Sequence, residues 1–345
     1  MVLEKLRHRN LPPTVFARFA VDEEKCTGCG RCVRTCPIQL LEMANGHPSP
    51  NQRYDHFRCI TCQNCAVACK EQAIRIEGDY RVTDGYWKND HLFAGPKTMP
   101  EPLAEHAGKP FEEYEDQLTE TERVIYRRRS IRLYKKKAVP REVVERIIEA
   151  GRFAPSAGNN QPWKFIAIQN RSVIDEINAR CKKSLRIMPY LSLPHQWMDK
   201  TTPGNPTASF TRWQKALLPL LVGLKPGEFE PRVRGGINAV TADPGYDIFF
   251  GAPSLVIILA DKRGIGDIEL DVGICAQNMV LAAHAMGLGT CYVGLVKALN
   301  VHPGYKKSLG IEEPFRIITS FTLGYPRGTI DKPVAREQAR VHWVE

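Results

Sequence analysis

Apolar residues recur at helical spacing in "VPREVVERIIEAG", where Val143, Val144, Ile147 and Ile148 share one face between Pro140 and Gly151. Proline at the first turn and glycine at the stop fit the asymmetry of helix ends, so an amphipathic helix is expected there. "WKFIAIQ" reads as a buried strand, and the residues from Ser172 onward as a second helix. Farther on, "APSLVIILAD" predicts a strand and "DIELDVGICAQNMVLAAHAMG" a long helix rich in small residues that ends at Gly287. "GTCYVG" predicts a short strand and "FRIITSFTLGY" the last one. Between about 186 and 246 the periodicity fails and Pro and Gly are frequent. A loop-rich insertion of that length commonly serves as a lid or a pocket wall. Helices and strands mixed in this order place the chain in the α+β class, with an α/β sandwich as its larger part.

Near the start of the chain, cysteine spacing replaces hydrophobic period as the organising pattern, and "AIRIEG" closes that segment as a short strand. A chain of 345 residues has room for two domains. The reading is a small domain over 1–78, a connector over 79–120 rich in Gly, Pro, Asp, Glu and Lys, and a larger domain over 121–345 with the insertion at about 186–246. Charge sharpens the second boundary. Residues 101–122 are acidic, whereas Arg123 to Lys137 carry eight basic residues and no acid. The apolar runs are too short to span a bilayer, and "MVLEKLRHRN" leads into no hydrophobic signal region, so a cytoplasmic protein with no membrane partner is expected.

Eight of the eleven cysteines fall in two runs, "CTGCGRCVRTCP" and "CITCQNCAVACK". Both keep the spacing Cys-x2-Cys-x2-Cys-x3-Cys, as Cys26, Cys29, Cys32, Cys36 and Cys59, Cys62, Cys65, Cys69. Disulfides do not suit a chain without an export signal, and zinc would want paired Cys-x2-Cys knuckles rather than runs of four. The spacing suits two [4Fe–4S] clusters with crossed ligands. Cys26, Cys29, Cys32 and Cys69 are expected to hold one, and Cys59, Cys62, Cys65 and Cys36 the other. The segment from about Phe19 to Gly78 resembles the bacterial two-[4Fe–4S] ferredoxins, departing from them at Lys70, where the second run lacks its proline. Cys181, Cys275 and Cys291 lie outside the runs and read as buried structural residues.

Four features of the larger domain are unremarkable one by one: the basic run "RRRSIR", the loop "APSAGNNQPWKF", "GLGTCYVG" and "GYP". Their chemistry converges on a flavin. A ribityl phosphate needs guanidinium groups and a hydroxyl, which Arg128, Arg129, Ser130 and Arg132 present. The polar edge of the ring needs amide and hydroxyl partners, which Ser156, Asn159 and Gln161 supply. Backbone N–H groups near the reactive nitrogen suit the Gly-containing strand end at Val293 and Gly294. No Rossmann glycine fingerprint competes. Taken in this order the features resemble the nitroreductase family of FMN enzymes from about Thr121 to Glu345. That resemblance implies FMN held by these residues and by a late arginine, Arg336, with Lys332 as its rival. It also implies an intertwined homodimer with FMN at the subunit interface, which Gly273, Ala276, Ala282 and Ala283 on the long helix would suit. Many family members carry a polar residue where Val293 stands, and the insertion at about 186–246 has no counterpart in the family pattern. His284 reads as a packed or interface residue; Tyr246, Trp197 and Trp213 as core or pocket wall.

Joined in one chain, the two halves imply an FMN-dependent oxidoreductase in which clusters relay electrons between a one-electron partner, such as ferredoxin, and FMN. FMN would then reduce a small organic acceptor: a nitroaromatic, a quinone or an activated alkene. The alternative is an electron-transfer or redox-sensing protein that turns over no small molecule. The net charge of +10 invites a nucleic-acid reading, but the basic run already has a phosphate to bind, so no nucleic-acid partner is expected.

Overall fold

The computed structural model describes residues 14–15, 18–52, 59, 62–77, 81–82, 97–187, 197, 209–224, 231–328, 332–339 and 341–345. It divides into two compact units. One comprises Met1–Tyr114, Arg186–Ala242 and Val334–Glu345, and the other Glu115–Leu185 and Asp243–Pro333.

The first unit contains a pseudo-repeat that follows from the cysteine spacing. Each run ends in a five-residue helix, Arg31–Thr35 and Asn64–Ala68. Each helix is entered through a left-handed residue, Gly30 at φ 64° and Gln63 at φ 57°. Glycine adopts that conformation without cost; glutamine does so only because the surroundings hold it there. After each helix the chain turns the same way. Gln39 N–H donates to Cys36 O (3.3 Å) and Gln72 N–H to Cys69 O (3.4 Å). An antiparallel pair, Arg18–Val21 with Ile74–Glu77, joins the two ends of the repeat, as the closing-strand reading of "AIRIEG" requires.

Three parts of this unit depart from the pattern-based reading. The strands Leu41–Ala44 and His47–Pro50 form a hairpin whose turn holds Asn45 (φ 50°) and Gly46 (φ 82°). Asn-Gly is the strongest short hairpin signal, and here it follows a run of cysteines that dominates the reading. Residues 97–117, assigned to the connector, hold a two-residue strand and three 3-10 turns. They bury His106, Phe111 and Tyr114, the first and last stacked at 4.2 Å. The stretch at about 186–246 contains two helices, Arg212–Leu224 and Pro231–Ala242. The first opens on a capping box: Thr211 N–H donates to Gln214 Oε1 (2.9 Å) and Gln214 N–H to Thr211 Oγ1 (3.2 Å). Pro219 inside that helix and two glycines in the next mask the helical period. Trp197 is buried edge-on to Phe210, while Trp213 is exposed.

The second unit is built on a four-stranded antiparallel sheet, Gly289–Tyr292, Phe315–Gly324, Ser254–Asp261 and Trp163–Ile168 in spatial order. Leu255 to Ala260 are fully buried, as their unbroken apolar run demands of a strand covered on both faces. On one face lies the long helix Ile268–Ala285, and against it the helix Arg141–Arg152 that the Val143–Ile148 pattern predicts. Val272, Cys275, Ala276, Met279, Val280 and Ala283 of the long helix meet Val144 and Ile147 in one core. Gly151 is the point of closest approach, since a Cβ there would lie 2.5 Å from Met279 Cγ. The helix Arg171–Ile187 buries Ile174, Ile177 and Cys181.

That helix also pins the chain where the insertion ends. Lys182 is buried, and its Nζ donates to the carbonyls of Asp243 (2.6 Å), Pro244 (2.9 Å) and Tyr246 (2.8 Å). Three fixed acceptors take the place of water around the ammonium. Replacing Lys182 with Met leaves those carbonyls without their shared donor and is expected to destabilise the protein by about 2–4 kcal/mol. Equilibrium denaturation of the parent and variant measures it.

Candidate functional site

One crossed cysteine set comes together in space, and part of the other does. Cys36, Cys59, Cys62 and Cys65 line one cavity, together with Phe19, Pro37, Ile38, Leu40, Leu41 and Ile76. Burial pushes the Cys65 thiol far up, and the neighbouring Cys62, Cys36 and Cys59 push it the same way, so the three lie within electrostatic reach of it. Burial likewise raises the Cys32 thiol to about 11, with Cys29 and Cys69 adding to the shift. Cys36 therefore sits with the three cysteines that open the second run, and Cys69 lies within electrostatic reach of Cys32 of the first. Among the described residues no three side chains converge tightly enough for a single metal ion, and the thiols around the cavity surround a space rather than a point. Thiols held protonated by burial must release their protons to solvent when they bind a metal cluster as thiolates.

Each fourth cysteine is also fixed through its sulfur. Leu40 N–H donates to Cys36 Sγ (3.4 Å) and Ala73 N–H to Cys69 Sγ (3.3 Å). Gly28 brings the first loop against the hairpin turn, where a Cβ would lie 2.8 Å from Gly46 O.

The flavin candidates of the second unit are carried by its sheet. The basic run lies alongside the edge strand Gly289–Tyr292: Ser130 bridges Thr290, and Ile131 N–H donates to Thr290 O (2.8 Å). This approach depends on glycine. A Cβ on Gly289 would lie 2.6–2.8 Å from three atoms of Ile131, and one on Gly324 would lie 2.9 Å from Tyr134 Cδ1. Tyr134 locks the run from behind by donating to Ile131 O and pairing with Thr322 Oγ1, both at 2.6 Å.

Arg129 is only 6% exposed. Arg132 is half-buried with its guanidinium 5.5 Å from the Phe250 ring centre, and its Nε and Nη1 are buried without a hydrogen-bond partner among the described residues. A guanidinium so held calls for an anion.

Val293 and Gly294 follow directly on that strand, and the structure divides the pair. Val293 N–H donates to Ser320 O (2.8 Å) and Val293 O accepts from Ser320 Oγ (2.9 Å), so both polar groups of Val293 are engaged by the sheet. Gly294 opens a 3-10 turn, where the first N–H groups have no partner within the turn, and a Cβ there would meet nothing within 4 Å. Gly294 is thus the better donor toward open space.

Ser156, Asn159 and Gln161 lie on a loop closed on itself. Gln161 N–H donates to Ser156 Oγ (3.0 Å) and Gln161 Nε2 to Asn159 Oδ1 (3.0 Å). Asn159 (φ 52°) and Gln161 (φ 47°) are left-handed without being glycine, a strain that loops at binding sites commonly store. Buried Asp271 of the long helix ties the loop down by accepting from Ala157 N–H (3.2 Å). Arg336 belongs to the first unit, in a two-residue strand paired with Lys97–Thr98, whereas the other flavin candidates belong to the second. Its rival Lys332 belongs to the second unit.

The model of the nitroreductase family matches residues 125–325, which span the basic run, the loop and the sheet and end at Tyr325. The chain belongs to the nitroreductase family. Residues 25–74 match the model of a 4Fe–4S dicluster domain. A 4-nitrobenzoate reductase of Nocardioides is 26% identical over 208 residues, 59% of this chain and 78% of that protein. An uncharacterised ferredoxin of Methanocaldococcus jannaschii is 40% identical over 57 residues, 16% of this chain and 74% of that protein. Among solved structures, an FMN-bound nitroreductase of Bacteroides fragilis is 24% identical, with a TM-score of 0.47 over 66% of this chain and all of that one. This nitroreductase-family protein is therefore an oxidoreductase with a ferredoxin-type domain at its N-terminal side.

The remaining candidates fall away from this chemistry. Cys181 and Cys275 are fully buried, and burial pushes both thiols up to about 12, which makes them inert. His284 lines a cavity of about 420 Å³ with Arg123, Arg127, Leu288 and Pro326, and none of the flavin candidates lines it. Tyr246 is buried edge-on to Phe250, in the core.

The crossed ligation proposed from the spacing predicts a crossed defect. In Cys36→Ala, iron and acid-labile sulfide are expected to fall by about half, with the loss confined to the cavity formed by the second run. A Cys36→Ala, Cys69→Ala double variant should lose nearly all of both.

Proposed function

We propose that this nitroreductase-family protein uses FMN and two [4Fe–4S] clusters to pass electrons from a one-electron protein donor of the ferredoxin kind to a small organic acceptor. Bound FMN would supply hydride chemistry toward a nitroaromatic, quinone or activated alkene, and the clusters single-electron steps toward the donor. The observation that carries the reading is the half-buried Arg132 guanidinium, two of whose nitrogens are buried without an acceptor among the described residues, in the basic run that lies beside the edge strand leading toward Gly294. Thr290, where the basic run is anchored, and Val293 are three residues apart, roughly 10 Å along a strand. A ribityl chain can bridge that distance between a phosphate and a ring.

In this reading Arg128, Arg129, Ser130 and Arg132 hold the phosphate, and Gly294 N–H faces the ring. Ser156, Asn159 and Gln161 present the Ser156 hydroxyl proton, the Asn159 amide N–H groups and Gln161 Oε1 to its polar edge. The loop and the basic run would come together across a homodimer interface, as the family resemblance implies. No side chain is asked to act as a nucleophile; the protein orients the groups and excludes water. A second copy and the redox donor are the partners, and the cytoplasm the compartment. No described helix is long and apolar enough to cross a membrane.

Two outcomes follow. Arg132→Ala loses a charge-assisted bond of about 1.5–3 kcal/mol, so FMN affinity should fall by about 10- to 100-fold in a fluorescence titration of the apoprotein. With FMN retained, Cys36→Ala and Cys69→Ala should each abolish rapid flavin bleaching by reduced ferredoxin under anaerobic conditions. Rapid bleaching by NADPH in those same variants would show that the flavin takes its electrons without the clusters.

A further inference from the structure

The pseudo-repeat of the ferredoxin-type domain sets Cys26 to Cys36 over Cys59 to Cys69, and the backbone N–H···S bonds to Cys36 and Cys69 match across it. One sulfur contact does not. Asn64, the first residue of the second short helix, donates from Nδ2 to Cys62 Sγ at 3.4 Å. The residue at the matching place in the first run is Arg31, and no described side-chain bond reaches Cys29 Sγ. The nearby Arg34 guanidinium instead donates to the Cys29 carbonyl at 2.9 Å. Asn64 is 8% exposed, so its bond to sulfur is screened from water, and the cavity beyond Cys62 is lined largely by apolar side chains.

Hydrogen bonds to cluster sulfurs stabilise the reduced form, whose added electron spreads onto them, and they do so most where water is excluded. From this we infer that Asn64 is a positioning residue that raises the reduction potential of the cluster held by Cys36, Cys59, Cys62 and Cys65, making the two clusters of this protein unequal. The inference rests on the cluster ligation proposed above. A neutral amide suits the task. It adds no charge to a poorly solvated site, and a thiolate can only accept, which fixes the amide with its N–H toward sulfur.

The test is a potentiometric titration of the anaerobically loaded full-length protein, followed by EPR, in the parent, Asn64→Leu and the isosteric Asn64→Asp. Iron and sulfide are assayed in each. In both variants one cluster midpoint should move to more negative potential while the other stays in place, with the larger movement in Asn64→Asp, whose carboxylate sets a negative charge beside sulfur. Asn64→Gln, which restores an amide donor, should recover part of the shift. Unmoved midpoints in fully loaded variants, or equal movement of both clusters, would overturn the inference while leaving the ligation standing. Loss of one cluster's iron in both Leu and Asp variants would overturn it in favour of a purely structural Asn64. A parent protein without iron and sulfide would overturn the ligation, and this inference with it.

Discussion

The ferredoxin-type domain, in the ligation proposed here, depends on one constraint: the fourth cysteine of each run completes the other run's set. Neither loop can therefore form its ligand set alone. The short helices Arg31–Thr35 and Asn64–Ala68 carry Cys36 and Cys69 across, and the left-handed entries at Gly30 and Gln63 aim those helices. So small a unit buries little apolar surface, and burial of Cys32 and Cys65 raises their thiols rather than ionising them. Metal binding and folding are coupled in such a domain, because the ligand set exists only when both loops are in place.

The second unit solves a different problem: how to hold arginines beside an apolar sheet. Arginines packed against a sheet edge would ordinarily be costly. Here the backbone of the run is bound to Thr290 through Ser130 and Ile131, Tyr134 closes it from behind, and two glycines, Gly289 and Gly324, let it approach. The same strand leads into the turn that opens at Gly294, so anchoring the run also sets its distance to the proposed ring site. The loop at 156–161 is strained and self-bonded, and its position is governed by Asp271 on the long helix that also forms the core.

Much of this was legible in the sequence, for identifiable reasons. Thiolate ligation imposes spacing, so the ferredoxin-type domain declared itself in its two cysteine runs. Long elements with strict periods, such as Arg141–Arg152 and Ser254–Asp261, were read from apolar positions. What escaped depended on tertiary contact or on a weak local signal. The Asn45–Gly46 turn and the Thr211–Gln214 capping box were present in the sequence but lay beside stronger patterns or inside a stretch with no clear period. Burial of His106 against Tyr114 has no sequence signature. Ser320 lies in a distant strand, so its claim on both polar groups of Val293, which leaves the outward role to Gly294, could not be read from the "GLGTCYVG" stretch. Arg132 stood out as one basic residue among eight only when its surroundings were known.

The central claim is that electrons reach FMN through the clusters. Rapid-freeze EPR with parallel stopped-flow absorbance, after mixing the oxidised holoprotein with reduced ferredoxin, tests it most directly. The account predicts that reduced-cluster signals rise first and decay as flavin absorbance falls. Flavin reduced at full rate while both clusters remain oxidised and EPR-silent would contradict it.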